Sequence, residues 1–282
     1  MATQRAPDPR LSVTPRRKPG RLARRRELEV KLAAVREDYA ELQTAVLEAA
    51  QVYRRLCAPR LVRSGEFEIA SEIFAVRHLP ADFFTVEETS SGLILALGDI
   101  EGKGLAAGMW ATHLVGLVRA HTAAGPEPSA IVAGVNRDLC RMSPLAPLVT
   151  LFVARLDSIT GKLDYASAGH PPAMLLREDG ELESLPEGGP ILGVIPWAPF
   201  KAGQVTLKPR EVLLAYTDGI TEARDAANQE FGEERLETHL RRAHGSSAEG
   251  VLFSVLGAVQ DFATTRPLVG DTSLVVVRHR SS

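Results

Sequence analysis

Four aspartates stand where apolar runs meet turns. Asp99 follows the run Leu93 to Leu97 and lies in the loop GDIEGKG, Asp218 closes VLLAYTDG, Asp271 opens GDTSLVVV, and Asp82 sits in PADFF after SEIFAV. A carboxylate at the end of a buried strand is desolvated on one side and is favoured in its ionised form beside positive charge. Several such groups that converge repel one another unless a cation lies among them. Hard divalent cations such as Mg²⁺ and Mn²⁺ take oxygen ligands of this kind and keep bound water. The pattern therefore suits a metal site with open, water-filled positions. Asp beside Gly at a strand end is also ordinary turn chemistry, and spacing leaves both readings open. A nucleotide-phosphate loop, G-x-x-x-x-G-K-[ST], is set aside: Gly98 to Gly102 is one residue too short, and Gly104 replaces the hydroxyl residue.

The elements that would carry these acids are legible in outline. FEIASEIFAV, ILALGD, PLVTLFVARLD, LDYASAG, AMLLRED, GQVTL, EVLLAYTDG and TSLVVVRHR read as strands separated by turn-like pieces such as DSITG and REDG. Two of these runs form hairpin-like pairs, LVTLFVARLDSITGKLDYASAG and PAMLLREDGELESL, which imply antiparallel pairing. Helices are expected at LAAGMWATHLVGLVRAH, EPSAIVAGVNRDLCRM, GEERLETHLRRAH and SAEGVLFSVLGAVQDFATT. Grouped strands with helices between the groups point to an α+β fold rather than a doubly wound parallel sheet.

Ahead of this region lies a different pattern. Residues 1–20 are rich in Pro and Arg and read as a disordered basic tail. Basic residues cluster from Arg16 to Arg26, but no aromatic residues interleave for base stacking, so no nucleic-acid partner is expected. Leu28, Leu32, Val35, Tyr39, Leu42, Val46, Ala49, Tyr53 and Leu56 then alternate spacings of 4 and 3. That is a heptad seam, and it predicts a coiled-coil linker helix over 21–58 with residues 28–56 pairing in a parallel homodimer. The alternative is a helix folded back on its own domain. Two tyrosines and an alanine on the seam make a weak coil, which suits a movable element.

The 282 residues carry a net charge of −2, with 45% apolar and 24% charged residues, the profile of a globular chain with no global bias toward nucleic acid or membrane. Cys57 and Cys140 cannot form a disulfide framework, have no metal-ligand spacing, and read as inert thiols. No apolar run reaches the ~18 residues of a membrane span and no signal-peptide core is visible, so a cytoplasmic location is expected.

GDIEGKGLAAGMWATHLVGLVRA, YASAGHPPAMLLREDG, LLAYTDGITEARDAANQEFGEERL and DTSLVVVR occur in this order. Together they resemble the metal-dependent serine/threonine protein phosphatases of the PPM, or protein phosphatase 2C-like, superfamily, in particular the SpoIIE-type bacterial branch. The resemblance covers roughly residues 45–280 and takes in LEAAQVYRRLCAP, similar to the helix that leads into that domain. It implies an α-β-β-α four-layer sandwich of two antiparallel sheets over residues 59–282, with two Mn²⁺ or Mg²⁺ ions at one edge. In that family the ions activate a shared water for in-line attack on a phosphoserine or phosphothreonine, with no phosphoenzyme. By position, Asp99 resembles the bridging ligand, with the Ile100 carbonyl beside it, and Asp82 and Asp218 resemble terminal ligands; Asp99 and Asp218 are thus the candidate catalytic residues, and Asp271 a further candidate ligand.

The departures from the family pattern are specific. Pro80-Ala81 replace two glycines, Thr85 stands where a later aspartate is usual, and Gly270-Asp271 replace a pair of acids. Asp271 falls one residue beyond the usual ligand position, and one residue on a strand means the opposite face. Two divalent ions bring four positive charges against three negative ones from Asp82, Asp99 and Asp218, so one ion is expected to be held weakly; Glu101 or Glu222 could compensate. The expected activity is therefore a metal-dependent phosphoprotein phosphatase acting on a phosphorylated, STAS-like anti-anti-sigma protein in a partner-switching pathway. The alternatives are a pseudophosphatase binding module and a coiled-coil scaffold. His170 is expected to hold a turn locked by Pro171 and Pro172, Trp110 and Trp197 to pack, Glu222 and Arg224 to lie in a first helical turn or a surface loop, and Lys103 either to attract phosphate or to lie solvated.

Overall fold

The computed structural model describes residues 20–57, 61–76, 79–263, 268 and 270–280. The tail expected over 1–20 therefore lies outside the described residues except for Gly20. The chain divides into two compact units, Met1–Ala45 and Val46–Ser282. The first helix, α1 (Arg21–Cys57), begins in one unit and ends in the other. Within the first unit, Leu28, Leu32, Val35, Tyr39 and Leu42 are all exposed among the described residues. Within the second unit, Tyr53 and Cys57 are buried in the core. The seam thus gives way, over the last turns of α1, to a face that belongs to the chain's own domain.

In chain order there follow β1 (Leu61–Ser64), β2 (Phe67–Phe74), β3 (Phe83–Thr89), β4 (Gly92–Ile100), α2 (Leu105–Ala124), α3 (Pro128–Met142), β5 (Val149–Leu156), β6 (Lys162–Ala168) and β7 (Ala173–Leu176). The remainder is β8 (Leu182–Leu185), β9 (Gly188–Gly189), β10 (Gly203–Thr206), β11 (Val212–Tyr216), α4 (Asp218–Thr221), α5 (Gly232–Arg242), α6 (Ala248–Ala263) and β12 (Thr272–His279). Two sheets result. One runs β1-β2-β12-β11-β7-β8, and the other β10-β6-β5-β4-β3 with β9 alongside β6. Every pairing is antiparallel except the short β6–β9 contact.

The layers follow from residue alternation. In β4, Leu93, Leu95 and Leu97 enter the core between the sheets, while Ile94 and Ala96 enter a second core with Leu114 and Val118 of α2 and Ile131 and Val135 of α3. In β12, Val275 and Val277 face the other sheet, while Leu274 and Val276 pack with Leu236 of α5 and Val255 of α6. A strand buried on both faces reads as a continuous apolar run rather than an alternating one, which is why these segments stand out in the sequence. The expected α-β-β-α sandwich is what forms. Among the described residues no helix is long and apolar enough to cross a membrane.

Three differences from the sequence reading have physical causes. Strand β3 was not anticipated: it is an edge strand, buried at Phe83, Phe84 and Thr85 and more open beyond, and its second half, Glu87 to Thr89, is polar. The strand expected over FEIASEIFAV stops at Phe74, and the next strand, from Phe83, lies in the second sheet. Trp197, expected to pack, is 83% exposed, whereas Trp110 does pack against the α2/α3 core.

Gly98 is required where these strands meet. A Cβ there would sit 2.5 Å from the Phe83 ring and 3.0 Å from the Thr150 carbonyl oxygen, on the two strands flanking β4. Gly98→Ala should lower stability by about 1–3 kcal/mol, as overpacking of a tight core does. Denaturant unfolding checks it, and an unchanged midpoint would show that β3 yields freely.

Candidate metal centre

The two sheets open at one end of the sandwich, and the acids arrive there from different segments. Asp99 is the penultimate residue of β4, opposite Thr150 of β5. Asp218 begins α4, just after β11 in the other sheet. Asp82 directly precedes Phe83, which pairs with Gly98, so register alone places it beside Asp99. Asp82, Asp99, Ile100, Asp218, Gly270 and Asp271 all line one cavity of about 200 Å³, together with Glu101 and Lys103 from the loop after β4. Glu222 does not line it; it caps the C-terminal end of α4, and Arg224 pairs with Glu230 in the following loop.

Asp82 is 1% exposed. Its Oδ2 accepts hydrogen bonds from Thr217 Oγ1 at 2.9 Å and from Ser273 Oγ at 2.5 Å. These hydroxyls belong to the first sheet: Thr217 and Ser273 continue the β11–β12 pairing, with Thr217 N–H donating to the Ser273 carbonyl at 3.0 Å. Asp82 thus joins the ends of both sheets. From the other side, the buried Tyr53 hydroxyl of α1 donates to the Asp82 backbone carbonyl. Sequence reading missed Thr217, Ser273 and Tyr53. The signal for Thr217 and Ser273 was present in TDG and DTS, where a hydroxyl residue adjoins or nearly adjoins each strand-end acid.

The electrostatics are those of crowded carboxyls. Burial drives the Asp82 carboxyl well above the usual carboxylate range, the Asp99 charge adds to this, and the Ser273 and Thr217 hydroxyls oppose it. Burial likewise raises Asp99, with Asp218 and Asp271 adding repulsion and a hydrogen bond with Asp82 opposing it. Two buried carboxyls this close favour sharing a proton, and a cation can replace that proton. Among the described residues no three Asp, Glu, His or Cys groups are gathered tightly enough to form a ready ion cage. The donors present are nonetheless hard oxygens around a cavity with room for water, which fits a hydrated Mg²⁺ or Mn²⁺ rather than a closed, thiolate-type site.

Asp271 lines the cavity, but both its oxygens are engaged: Oδ1 accepts from the Val76 N–H at 2.8 Å and Oδ2 from the Ala81 N–H at 2.6 Å. Thr85 lies elsewhere. It is fully buried, donates to Glu87 Oε1 at 2.9 Å, and shares that carboxylate with Arg119 of α2, whose Nη2 also reaches the Leu56 carbonyl of α1 at 3.4 Å. The departure at Thr85 therefore alters the junction of α1, α2 and β3 rather than the cavity. Gly270 does line the cavity, and no atom lies within 4 Å of where its Cβ would be.

Asp99 and Asp218 also border a second cavity, of about 390 Å³, together with Thr150, His170 and Pro171. His170 Nδ1 lies 2.8 Å from Thr150 Oγ1, and burial pushes its pKa down to about 3. A buried neutral imidazole bridging a turn to β5 is a structural element, as expected for SAGHPPA.

A profile of the family described as stage II sporulation protein E (SpoIIE) matches residues 89–280. Protein IcfG of Synechocystis sp. is 37% identical over 92 residues, 33% of this chain and 14% of IcfG. Phosphoserine phosphatase RsbU of Bacillus subtilis is 21% identical over 244 residues, 85% of this chain and 71% of RsbU. The chain therefore spans most of RsbU but only about a seventh of IcfG. Among solved structures, the SiaA-PP2C domain of Pseudomonas aeruginosa matches with a TM-score of 0.73 at 17% identity, covering 86% of this chain and 98% of that one. RsbX in complex with magnesium matches with a TM-score of 0.59 at 17% identity, covering 77% and 98% respectively.

His170 makes a pH prediction with a defined sign. Its folded pKa, about 3, lies below its ordinary 6.5, so its contribution to stability is complete above pH 6.5 and is lost as pH falls toward 3. Across that window the unfolded chain binds a proton that the folded chain refuses, a slope of about 1.4 kcal/mol per pH unit. His170→Gln should flatten the pH dependence of the unfolding free energy between about pH 6 and 4 by this amount; a variant with the wild-type slope would show that the ring charges in the folded state.

Proposed function

The chain belongs to the SpoIIE family, and on that premise we propose that it is a divalent-metal-dependent phosphoserine/phosphothreonine protein phosphatase acting in the cytoplasm. The observation that carries this reading is the convergence of Asp82, Asp99 and Asp218, from three separate segments, on one water-accessible cavity at the mouth of the sandwich. Asp99 and Asp218 are the catalytic acids. With Asp82 and the Ile100 carbonyl they would hold two Mn²⁺ or Mg²⁺ ions, one of them weakly because Gly270 offers no carboxylate. When bound, such ions supply Lewis acidity, acidifying water and offsetting the charge of a phosphate ester.

The chain's own residues perform the remaining tasks. Thr217 and Ser273 keep one Asp82 oxygen turned into the junction between the sheets, which leaves the other for the cavity. Lys103 and Glu101 line the same cavity, so a phosphate would enter past one positive and one negative side chain. Gly102, at φ 142°, and Gly104, at φ 75°, let the loop turn between Asp99 and α2. The substrate in this reading is a phosphorylated STAS-like protein of a partner-switching pathway. RsbU, named a phosphoserine phosphatase, supports the phosphoserine part of this reading.

The exposed seam of α1, from Leu28 to Leu42, supports pairing of two chains through the helix within residues 28–56, since five large apolar side chains in heptad register would otherwise face water. Motion of α1 would reach the cavity through the Tyr53 bond to the Asp82 carbonyl.

Hydrolysis of a phosphoprotein or p-nitrophenyl phosphate, with and without millimolar Mn²⁺, tests the activity. Asp99→Asn should reduce the metal-dependent rate by roughly a hundredfold or more, the effect of losing a few kcal/mol of metal-supplied stabilisation. Indifference of hydrolysis to metal and to Asp99 would overturn the proposal in favour of a binding module. Gly270→Asp has open space for its side chain and should tighten Mn²⁺ binding by about tenfold, which calorimetry would read. Replacing Leu32 and Leu42 with Asp should yield monomers by sedimentation and alter the rate; an unchanged mass and rate would refute the dimer.

A further inference from the structure

Asp271 stands one residue from the position at which a ligand is expected, and its contacts point to another task. We infer that Asp271 is a positioning residue whose carboxylate clasps both ends of the β2–β3 connection and thereby places Asp82 in the cavity. Its two oxygens accept from two backbone amides five residues apart, Val76 at 2.8 Å and Ala81 at 2.6 Å. Ala81 is 4% exposed and is the neighbour of Asp82, so the second bond fixes the peptide that delivers the acid. A carboxylate accepting from backbone N–H groups forms charge-assisted bonds, about twice the strength of neutral ones.

The same stretch of chain is anchored on its other side. A Cβ at Gly219 would lie 1.9 Å from the Asp271 carbonyl oxygen, so the Asp271 backbone rests directly against the turn that begins with Asp218. Ser273, two residues further, projects to the same side as Asp271, and its hydroxyl holds the Asp82 carboxylate itself. Asp271 therefore secures the backbone ahead of Asp82, Ser273 secures its side chain, and Gly219 lets both sit close to Asp218. With each oxygen already bonded to an amide, the Asp271 carboxylate is committed to the loop. Its influence on a cation is exerted through Asp82; that consequence, though not the clasp, rests on the reading of the cavity as a metal-dependent phosphatase site.

Amide hydrogen exchange in the metal-free full chain tests the clasp. In Asp271→Ala the Val76 and Ala81 amides should exchange about tenfold faster or more, the effect of losing charge-assisted bonds of at least about 1.4 kcal/mol. Mn²⁺ affinity by calorimetry should fall by a similar factor. Asp271→Asn keeps one acceptor oxygen and should fall between wild type and Asp271→Ala; it decides the question if Asp271→Ala does not fold. If exchange at Ala81 is unchanged in the metal-free variants while Mn²⁺ affinity drops, Asp271 is a ligand and the clasp is overturned. If exchange and affinity are both unchanged, the clasp is overturned as well. The exchange result does not depend on turnover, so a wild-type protein without metal-dependent hydrolysis would remove the phosphatase reading and leave the clasp standing.

Discussion

The Asp82 carboxylate is buried to 1% exposure between the ends of two sheets, and the arrangement of the cavity depends on how its charge is accommodated. Two hydroxyls from the first sheet bind one of its oxygens, Asp99 of the second sheet crowds it, and a tyrosine hydroxyl from α1 fixes its carbonyl. A carboxylate in such surroundings is costly unless protonated or paired with a cation. The sandwich core makes that position possible. Its central strands are buried on both faces, so they hold the sheet ends in register where the acids meet.

The site is built from connections more than from secondary structure. Asp99 and Asp218 sit at or just beyond strand ends, but Asp82 arrives on a crossover from one sheet to the other, and β12 contributes through Asp271 and Ser273. Four chain segments must agree in position to within hydrogen-bonding distance. Gly98 and Gly219 occur where backbone or ring atoms approach too closely for any side chain, which lets the segments close on one another. The cavity and the last turns of α1 are joined through the buried Tyr53, so the helix end and the acids share a neighbour.

The departures from the family pattern look different once located. Thr85 replaces an acid, yet Glu87, two residues along the same strand, supplies a carboxylate to Arg119, and Thr85 itself donates to it. The charge has moved within an interhelical junction remote from the cavity. Gly270, in contrast, removes a carboxylate at the cavity wall and leaves space in its place.

The sequence by itself determined the layers. Strands buried on both faces must be continuous apolar runs, and helices packed on one face must be periodic, so ILALGD, VLLAY, SLVVV and the α2, α3 and α6 segments were legible without coordinates. It also marked Asp82, Asp99 and Asp218 as acids at the edges of those runs, and the ordered motifs identified the family. Edge strands were not legible in the same way: β3 is half polar because one of its sides has no strand beside it, and local pattern cannot announce that. Nor could sequence show that Tyr53 leaves the heptad seam for the core, since 4-and-3 spacing is common to a coiled coil and to a helix packed on a domain. The task of Asp271 was decided by tertiary structure alone, because its partners are the Val76 and Ala81 amides, 195 and 190 residues away along the chain, and only the fold brings them to it.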